Sequence, residues 1–130
     1  MAKSNSFHPF ALSVLRLVAG FTFSLHGFAK IFGSFGGLDG HKAKMLSLFW
    51  FAGILEICGG LLIAAGLFTR LVAFVLCGEM AVAYFKEHLP GGFWPILNGG
   101  ELAVLYCFIF LLLMVAGGGP ISLDRAIRGK

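Results

Sequence analysis

The chain has 130 residues, 58% of them hydrophobic and 12% charged, a balance that lies outside the usual range of soluble proteins and indicates a membrane protein. Its formal net charge of +4 comes from Lys and Arg residues, many of which flank apolar runs, so we expect lipid contact and no nucleic-acid binding. The length predicts a single domain over residues 1–130. The three cysteines lie separately inside apolar runs, so neither a disulfide framework nor a metal site is predicted.

The first apolar run predicts a membrane-spanning helix over residues 10–33. With about 100° of rotation per residue, Arg16, His26 and Lys30 fall with small residues in one sector of about 120°. Leu, Val and Phe residues cover much of the opposite side. We therefore expect the polar sector to face protein and the apolar side to face lipid. The polar, glycine-rich segment 33–44 is predicted to form a loop.

The second helix, predicted over residues 48–68, carries one carboxylate, Glu56, inside an almost wholly apolar segment. A charge at the centre of a bilayer costs roughly 2.5–3.5 kcal/mol, so Glu56 needs a partner, a proton or water. It lies on a stripe of small residues that would let other helices approach closely, formed by Ala52, Gly60 and Ala64. Glu56 is therefore expected to face the interior of a helix bundle.

The third helix, predicted over residues 71–86, carries Glu79 and follows the second with almost no linker, which indicates a helical hairpin. After a Pro/Gly-rich loop, the fourth helix is predicted over residues 98–117. Asn98 can cap this helix, and Glu101 is then its third residue. A run of three glycines and Pro120 ends it, and the tail is expected to form a short amphipathic turn.

Four spans place both termini on the same side of the membrane. Basic residues are in modest excess on that side, which by the positive-inside rule predicts cytoplasmic termini. The residues counted there are Arg16, Lys3, Arg70, Arg125, Arg128 and Lys130, against Lys42, Lys44 and Lys86 on the other side. The predicted fold is thus an all-α membrane protein, a four-transmembrane-helix bundle with both termini cytoplasmic.

Depth along the helices, at about 1.5 Å per residue, brings the polar side chains into one layer. We expect a cavity in the outer leaflet, with His26 and Glu56 as candidates for proton transfer. The candidates for substrate binding are Arg16, Lys30, Asn98, Glu101 and Glu79, with Glu79 deeper and Arg16 toward the cytoplasmic end. Alternatively, Lys30 with Glu56 or Glu101 is only an ion pair that fixes the register of the helices.

Several short motifs in a fixed order resemble the DoxX family of small bacterial membrane proteins, over about residues 10–126. They are Leu15-Arg16 with Gly20, His26-Gly27 with Lys30, Glu56 with Gly59-Gly60, Gly66-Leu67-Phe68-Thr69-Arg70, Asn98-Gly99-Gly100-Glu101 and Ser122-Leu123-Asp124. The resemblance implies a multi-pass inner-membrane protein with four helices. It also implies kinship with the membrane subunit of thiosulfate:quinone oxidoreductase and with DoxX proteins of redox and thiol-stress systems.

The first functional hypothesis is therefore a membrane subunit of a redox system. Its outer cavity would accept a quinone, the one cofactor we consider, or a small anionic sulfur substrate delivered by a soluble redox partner protein. The alternative is a non-catalytic protein, either a small-molecule carrier or a membrane scaffold for soluble redox enzymes. Either form is compatible with a homo-oligomer, and the sequence alone leaves these alternatives open.

Overall fold

The computed structural model describes residues 7–37 and 40–129, so Lys3 and Lys130, which entered the count of basic residues, lie outside it. The prediction of an all-α fold is confirmed for the described part, which has no strand. Its helices are α1 (His8–Phe32), α2 (Leu48–Ala65), α3 (Thr69–Ala83), α4 (Pro95–Asn98), α5 (Glu101–Ala116) and α6 (Leu123–Arg128). Single 3-10 turns cover Ser34–Gly36 and Leu89–Gly91, and a π-helical turn covers Tyr84–His88.

Two of these helices, α1 with 25 residues and α2 with 18, are long and apolar enough to cross a membrane. Helices α3 and α5 have 15 and 16 residues, which corresponds to about 22–24 Å. Large apolar side chains are exposed on the outer faces of α1, α3 and α5, among them Phe21, Phe74 and Phe108. An exposed apolar surface of this extent suits contact with lipid rather than with water.

Helices α1 and α2 pack at very short range because glycines face each other across the contact. A Cβ atom on Gly27 would lie 2.6 Å from the carbonyl oxygen of Gly53, and one on Gly60 would lie 2.8 Å from that of Gly20. A Cβ atom on Gly20 would overlap the backbone nitrogen of Ala64. The small-residue stripe of α2 therefore serves close helix packing, as the sequence predicts.

All four longer helices contribute to one hydrophobic core. Phe23 of α1, Leu76 of α3 and Phe110 of α5 are almost completely buried, together with Ile63 of α2. The rings of Phe23 and Phe110 meet edge to face, with their centroids 4.9 Å apart. This core fixes the helices around the polar residues that lie nearer to one end.

The connection between α2 and α3 is a tight hairpin that the C-terminal segment completes. Gly66 (φ +74°) and Phe68 (φ +52°) both adopt the left-handed conformation there, which is unusual for a phenylalanine. The carboxylate of Asp124 accepts hydrogen bonds from the backbone N–H groups of Phe68 (2.7 Å) and Thr69 (2.9 Å). The backbone N–H of Asp124 donates to the carbonyl of Gly66 at 2.9 Å.

The start of the fourth long helix differs from the prediction. Gly99 has φ +76°, which ends the short helix α4 and reorients the chain before α5 begins at Glu101. The prediction that Asn98 caps this helix, with Glu101 as its third residue, is wrong: Gly100 occupies the cap position and Glu101 is the first residue. The amide oxygen of Asn98 instead accepts a hydrogen bond from Gly100 N–H at 2.8 Å.

The third helix also departs from α-geometry after Ala83.

Candidate functional site

A cavity of about 500 Å³ lies between α1, α2, α3 and α5, toward the end where α1 finishes and α5 begins. Its walls are largely apolar and include Phe23, Met80 and Tyr106. Charged and titratable side chains enter it from α1, α2, α3 and the π-helical turn, namely His26, Lys30, Glu56, Glu79, Lys86, Glu87 and His88. Within the described residues, no three His, Cys, Asp or Glu side chains are grouped so that they could hold a metal ion.

An ion pair between α1 and α2 forms part of the wall of this cavity. The Nζ atom of Lys30 lies 2.7 Å from Oε1 of Glu56, and the two side chains are 15% and 3% exposed. Lys30 stands one turn beyond His26 on α1, so the helical period alone brings both to the same wall. Glu56 is thus neutralised inside the protein, which offsets the cost of placing a carboxylate in an apolar helix.

A second carboxyl group, that of Glu79 on α3, lines the same cavity as Glu56. Its Oε1 atom is buried and receives no hydrogen bond from any residue in the described part of the chain. Two carboxylates can only accept hydrogen bonds, so Glu56 and Glu79 can bond to each other only when one of them carries a proton. Lys30 balances one negative charge, and a single shared proton would balance the other.

His26 enters the cavity from α1 with aromatic neighbours. Its ring meets that of Tyr106 edge to face, at 5.9 Å between centroids, and lies 6.4 Å from the ring of Phe23. The hydroxyl of Tyr106 donates to Oγ1 of Thr22 at 3.0 Å. His26 is exposed to the cavity opening, so a bound molecule could reach its ring nitrogens.

Arg16 does not line this cavity and is occupied at the opposite end of the helices. Its buried guanidinium donates to the carbonyl groups of Gly118 (2.7 Å), Ile63 (2.8 Å) and Ala64 (2.5 Å), and also to that of Ile121. These bonds join α1 to the end of α2 and to the segment after α5. The contacts of Arg16 are therefore those of a structural residue.

Asn98 and Glu101, the other two predicted site residues, lie outside the cavity lining. The side-chain amide of Asn98 donates to Tyr84 Oη (3.1 Å) and to the carbonyl of Gly92 (2.8 Å), so it organises the loop before α5. Glu101 is exposed at the first position of α5. Of the seven predicted residues, the structure brings together His26, Lys30, Glu56 and Glu79.

Some residues of the cavity are not among the predicted ones. Lys86, Glu87 and His88 reach it because the π-helical turn changes the direction of their side chains after α3, which helical periodicity does not anticipate. Tyr106 did leave a signal in the sequence. It shares a 3-4-3 spacing with Ala103, Phe110 and Leu113, all buried, and its hydroxyl needs a partner in such a position.

A family model described as DoxX matches residues 11–89, which is more than half of the chain. This chain belongs to the DoxX family. The matched residues of this DoxX protein include all four that meet in the cavity, whereas the wall formed by α5 lies beyond the match.

Two similar proteins come from Haemophilus influenzae (strain ATCC 51907 / DSM 11121 / KW20 / Rd), and both are described as uncharacterized proteins. The first is 42% identical over 136 residues and covers 100% of both chains. The second is 32% identical over 73 residues, which is 56% of this DoxX protein and 48% of the relative. No solved structure matches the chain.

Proposed function

We propose that this DoxX protein is a multi-pass subunit of a redox system in the bacterial inner membrane, in which the cavity binds a quinone head group or a small anionic sulfur substrate. In this proposal residues 1–130 form one domain, α1, α2, α3 and α5 all cross the membrane, and both termini are cytoplasmic. The cavity then opens toward the outer leaflet, where a soluble redox partner could deliver electrons. The kinship of the family with thiosulfate:quinone oxidoreductase supports this choice.

The observation that carries the proposal is the cluster of Lys30, Glu56 and Glu79 inside a cavity of about 500 Å³. That volume is typical of small-molecule sites, which combine apolar walls with a few convergent polar groups. A structural ion pair alone would account for Lys30 and Glu56. It does not account for Glu79, whose buried Oε1 atom lacks a donor within the described residues.

The residues of the cavity fit a quinone head group. The ammonium of Lys30 can donate a hydrogen bond to a carbonyl oxygen, a protonated Glu79 can donate another, and Phe23 and Tyr106 offer flat apolar walls. A bound quinone would accept two electrons and two protons. Glu56 and Glu79 would hold one proton between them, and His26 at the opening could exchange protons with the outer aqueous phase.

A binding experiment tests this proposal directly. The full chain, extracted in mild detergent, is titrated with ubiquinone-1 and separately with thiosulfate, and the heat of binding is recorded. We expect one of these probes to bind. Lys30→Met should weaken thiosulfate binding at least tenfold. Glu79→Met, which leaves no donor at this position, should weaken quinone binding by roughly fivefold to tenfold, the effect of one lost hydrogen bond.

Glu101→Met is the matched control, because it removes an exposed carboxylate at the same end of the helices but outside the cavity. This variant should bind as the wild type does. If neither probe binds the folded wild type, or if Glu101→Met weakens binding as much as Glu79→Met, the cavity is not the proposed site.

A carrier is the second candidate function, and the same buried carboxyl group favours it. A proton shared by Glu56 and Glu79 could accompany an anion through the protein without any electron donor. Proteoliposomes loaded with radiolabelled thiosulfate distinguish the two functions. Flux without a reductant, abolished by Glu56→Gln, would support the carrier and remove the basis of the redox proposal.

A further inference from the structure

A second cavity, of about 780 Å³, lies at the opposite end of the helices, between the start of α1, the start of α3 and helix α6. Three arginines line it, Arg70, Arg125 and Arg128, and Asp124 is its one carboxylate. The lining therefore carries a net charge of +2, three positive charges against one negative. We call this region the arginine cavity.

The carboxylate of Asp124 does not form an ion pair with any of the three arginines. Its two oxygens accept the backbone N–H groups of Phe68 and Thr69. Across residues 7–37 and 40–129, no carboxylate lies within ion-pairing distance of the three guanidinium groups. Arg70 is held in place by donating to the carbonyl of Val115 at 2.5 Å, and Arg128 lies 5.5 Å from the centre of the Phe68 ring. The positive charge of the cavity is thus available to an anion from outside.

Apolar side chains adjoin these charges. Leu12, Phe68 and Leu71 line the same cavity, and Phe68 and Leu71 are exposed. Contact with these apolar side chains would not stabilise a bound inorganic anion. A molecule with an anionic group next to an acyl chain would complement both parts.

We propose that the arginine cavity binds the phosphate group of an anionic glycerophospholipid, with the acyl chain against the apolar border. Guanidinium groups pair with phosphate oxygens through two parallel hydrogen bonds, which favours arginine over lysine at such a site. Basic pockets between helices at the membrane surface are a recognised form of lipid site. The proposal uses none of the residues of the first cavity and stands independently of the redox function.

Lipid selectivity in a bilayer tests the proposal. The full chain is reconstituted in phosphatidylcholine containing spin-labelled phosphatidylglycerol or spin-labelled phosphatidylcholine, and the motionally restricted fraction gives the relative affinity. Wild type should prefer phosphatidylglycerol. Arg125→Gln with Arg128→Gln should reduce that preference by roughly fivefold per arginine.

The matched control is Lys42→Gln with Lys44→Gln, which removes the same charge from the loop between α1 and α2, at the other end of the protein. It should leave the preference unchanged. Arg125→Lys with Arg128→Lys keeps the charge and should lose part of the preference, because lysine cannot form the paired bonds.

Three results would overturn the proposal. The first is a wild type without preference for phosphatidylglycerol. The second is an equal loss in the Lys42/Lys44 control, which would indicate a diffuse effect of net charge. The third is displacement of the labelled lipid by millimolar inorganic phosphate, more strongly than by chloride at the same ionic strength, which would make the site one for free phosphate.

Discussion

The ammonium of Lys30 on α1 and the carboxylate of Glu56 on α2 form a 2.7 Å ion pair that bridges 26 positions of sequence. The pair lies at the wall of a cavity rather than in a closed core, since Lys30 keeps 15% of its side chain exposed. Each partner therefore depends on the other for neutralisation while remaining within reach of a bound molecule.

Removal of one partner should cost more than removal of both. We expect Lys30→Met or Glu56→Gln alone to lower the free energy of unfolding by roughly 3 kcal/mol, because the remaining group is left unpaired. The double variant should recover most of that loss. Thermal unfolding in detergent measures all four proteins of the cycle, and additive losses would mean that the ion pair does not stabilise the fold.

Close packing of α1 on α2 gives a second prediction. Gly20→Ala should destabilise by roughly 1–3 kcal/mol, since its new Cβ atom would overlap the backbone of Ala64. Gly78→Ala is the control. Within the described part of the chain, no atom beyond its neighbours and the adjoining backbone of α3 lies within 4 Å of its added Cβ, so a helical alanine should be neutral or slightly stabilising there. Equal effects in the two variants, measured by thermal unfolding, would contradict this contact.

Helical periodicity sufficed to place part of the site. It put His26 and Lys30 on one face of α1 and Glu56 toward the bundle, because all three lie inside regular helices. It could not reveal that the carbonyl groups of Gly118 and Ile121 fold back onto Arg16, since that contact joins distant parts of the chain. An arginine on the polar face of a helix gives the same sequence pattern in two different roles. It can bind a ligand, or it can donate hydrogen bonds to the backbone carbonyl groups of a loop.

The predicted fourth helix shows a second limit of prediction from sequence. The two residues on either side of the Gly99-Gly100 turn, Asn98 and Glu101, were expected in one helix and one site. A single left-handed glycine separates them into two helices and directs both away from the cavity. The π-helical turn after α3 has the opposite effect, because it brings Lys86 and His88 into the lining.

Acid should weaken the hairpin between α2 and α3 through Asp124. Burial by itself raises the pKa of Asp124, but the N–H groups of Thr69 and Phe68 and the charge of Arg128 outweigh it and lower the pKa below the ordinary value. A lowered pKa in the folded state means that the carboxylate stabilises the fold above its unfolded pKa of about 3.9. That stabilisation is lost as the pH falls through the folded pKa.

Melting temperatures between pH 3 and pH 6 test this. Wild type should lose stability below about pH 4. At pH 6 the free energy of unfolding of the Asp124→Asn variant should be lower by about 1 kcal/mol, the usual contribution of a capping carboxylate. Because asparagine does not titrate, the variant should lose less stability than the wild type as the pH falls. Identical pH profiles would show that Asp124 does not titrate with unfolding.

The contact between α3 and α5 can be tested through two cysteines. Sγ of Cys77 lies 3.7 Å from Sγ of Cys107, whereas Cys58 is on α2. Oxygen with copper–phenanthroline, a lipid-permeable catalyst, should join Cys77 to Cys107, with loss of two hydrogen atoms detected by peptide mass. Cys107→Ser should leave Cys77 reduced. A link from Cys58 to either residue instead would contradict the arrangement of the helices.

The hydrogen bonds of Asp124 to the α2–α3 turn also set an order of events during synthesis. Phe68 and Thr69, which form the turn, are made 56 and 55 residues before the carboxylate that completes it. Until that carboxylate emerges from the ribosome, the left-handed Phe68 lacks its hydrogen bond to Asp124. Helices α2 and α3 therefore form a provisional pair at first, and the later segment that carries Asp124 completes their connection.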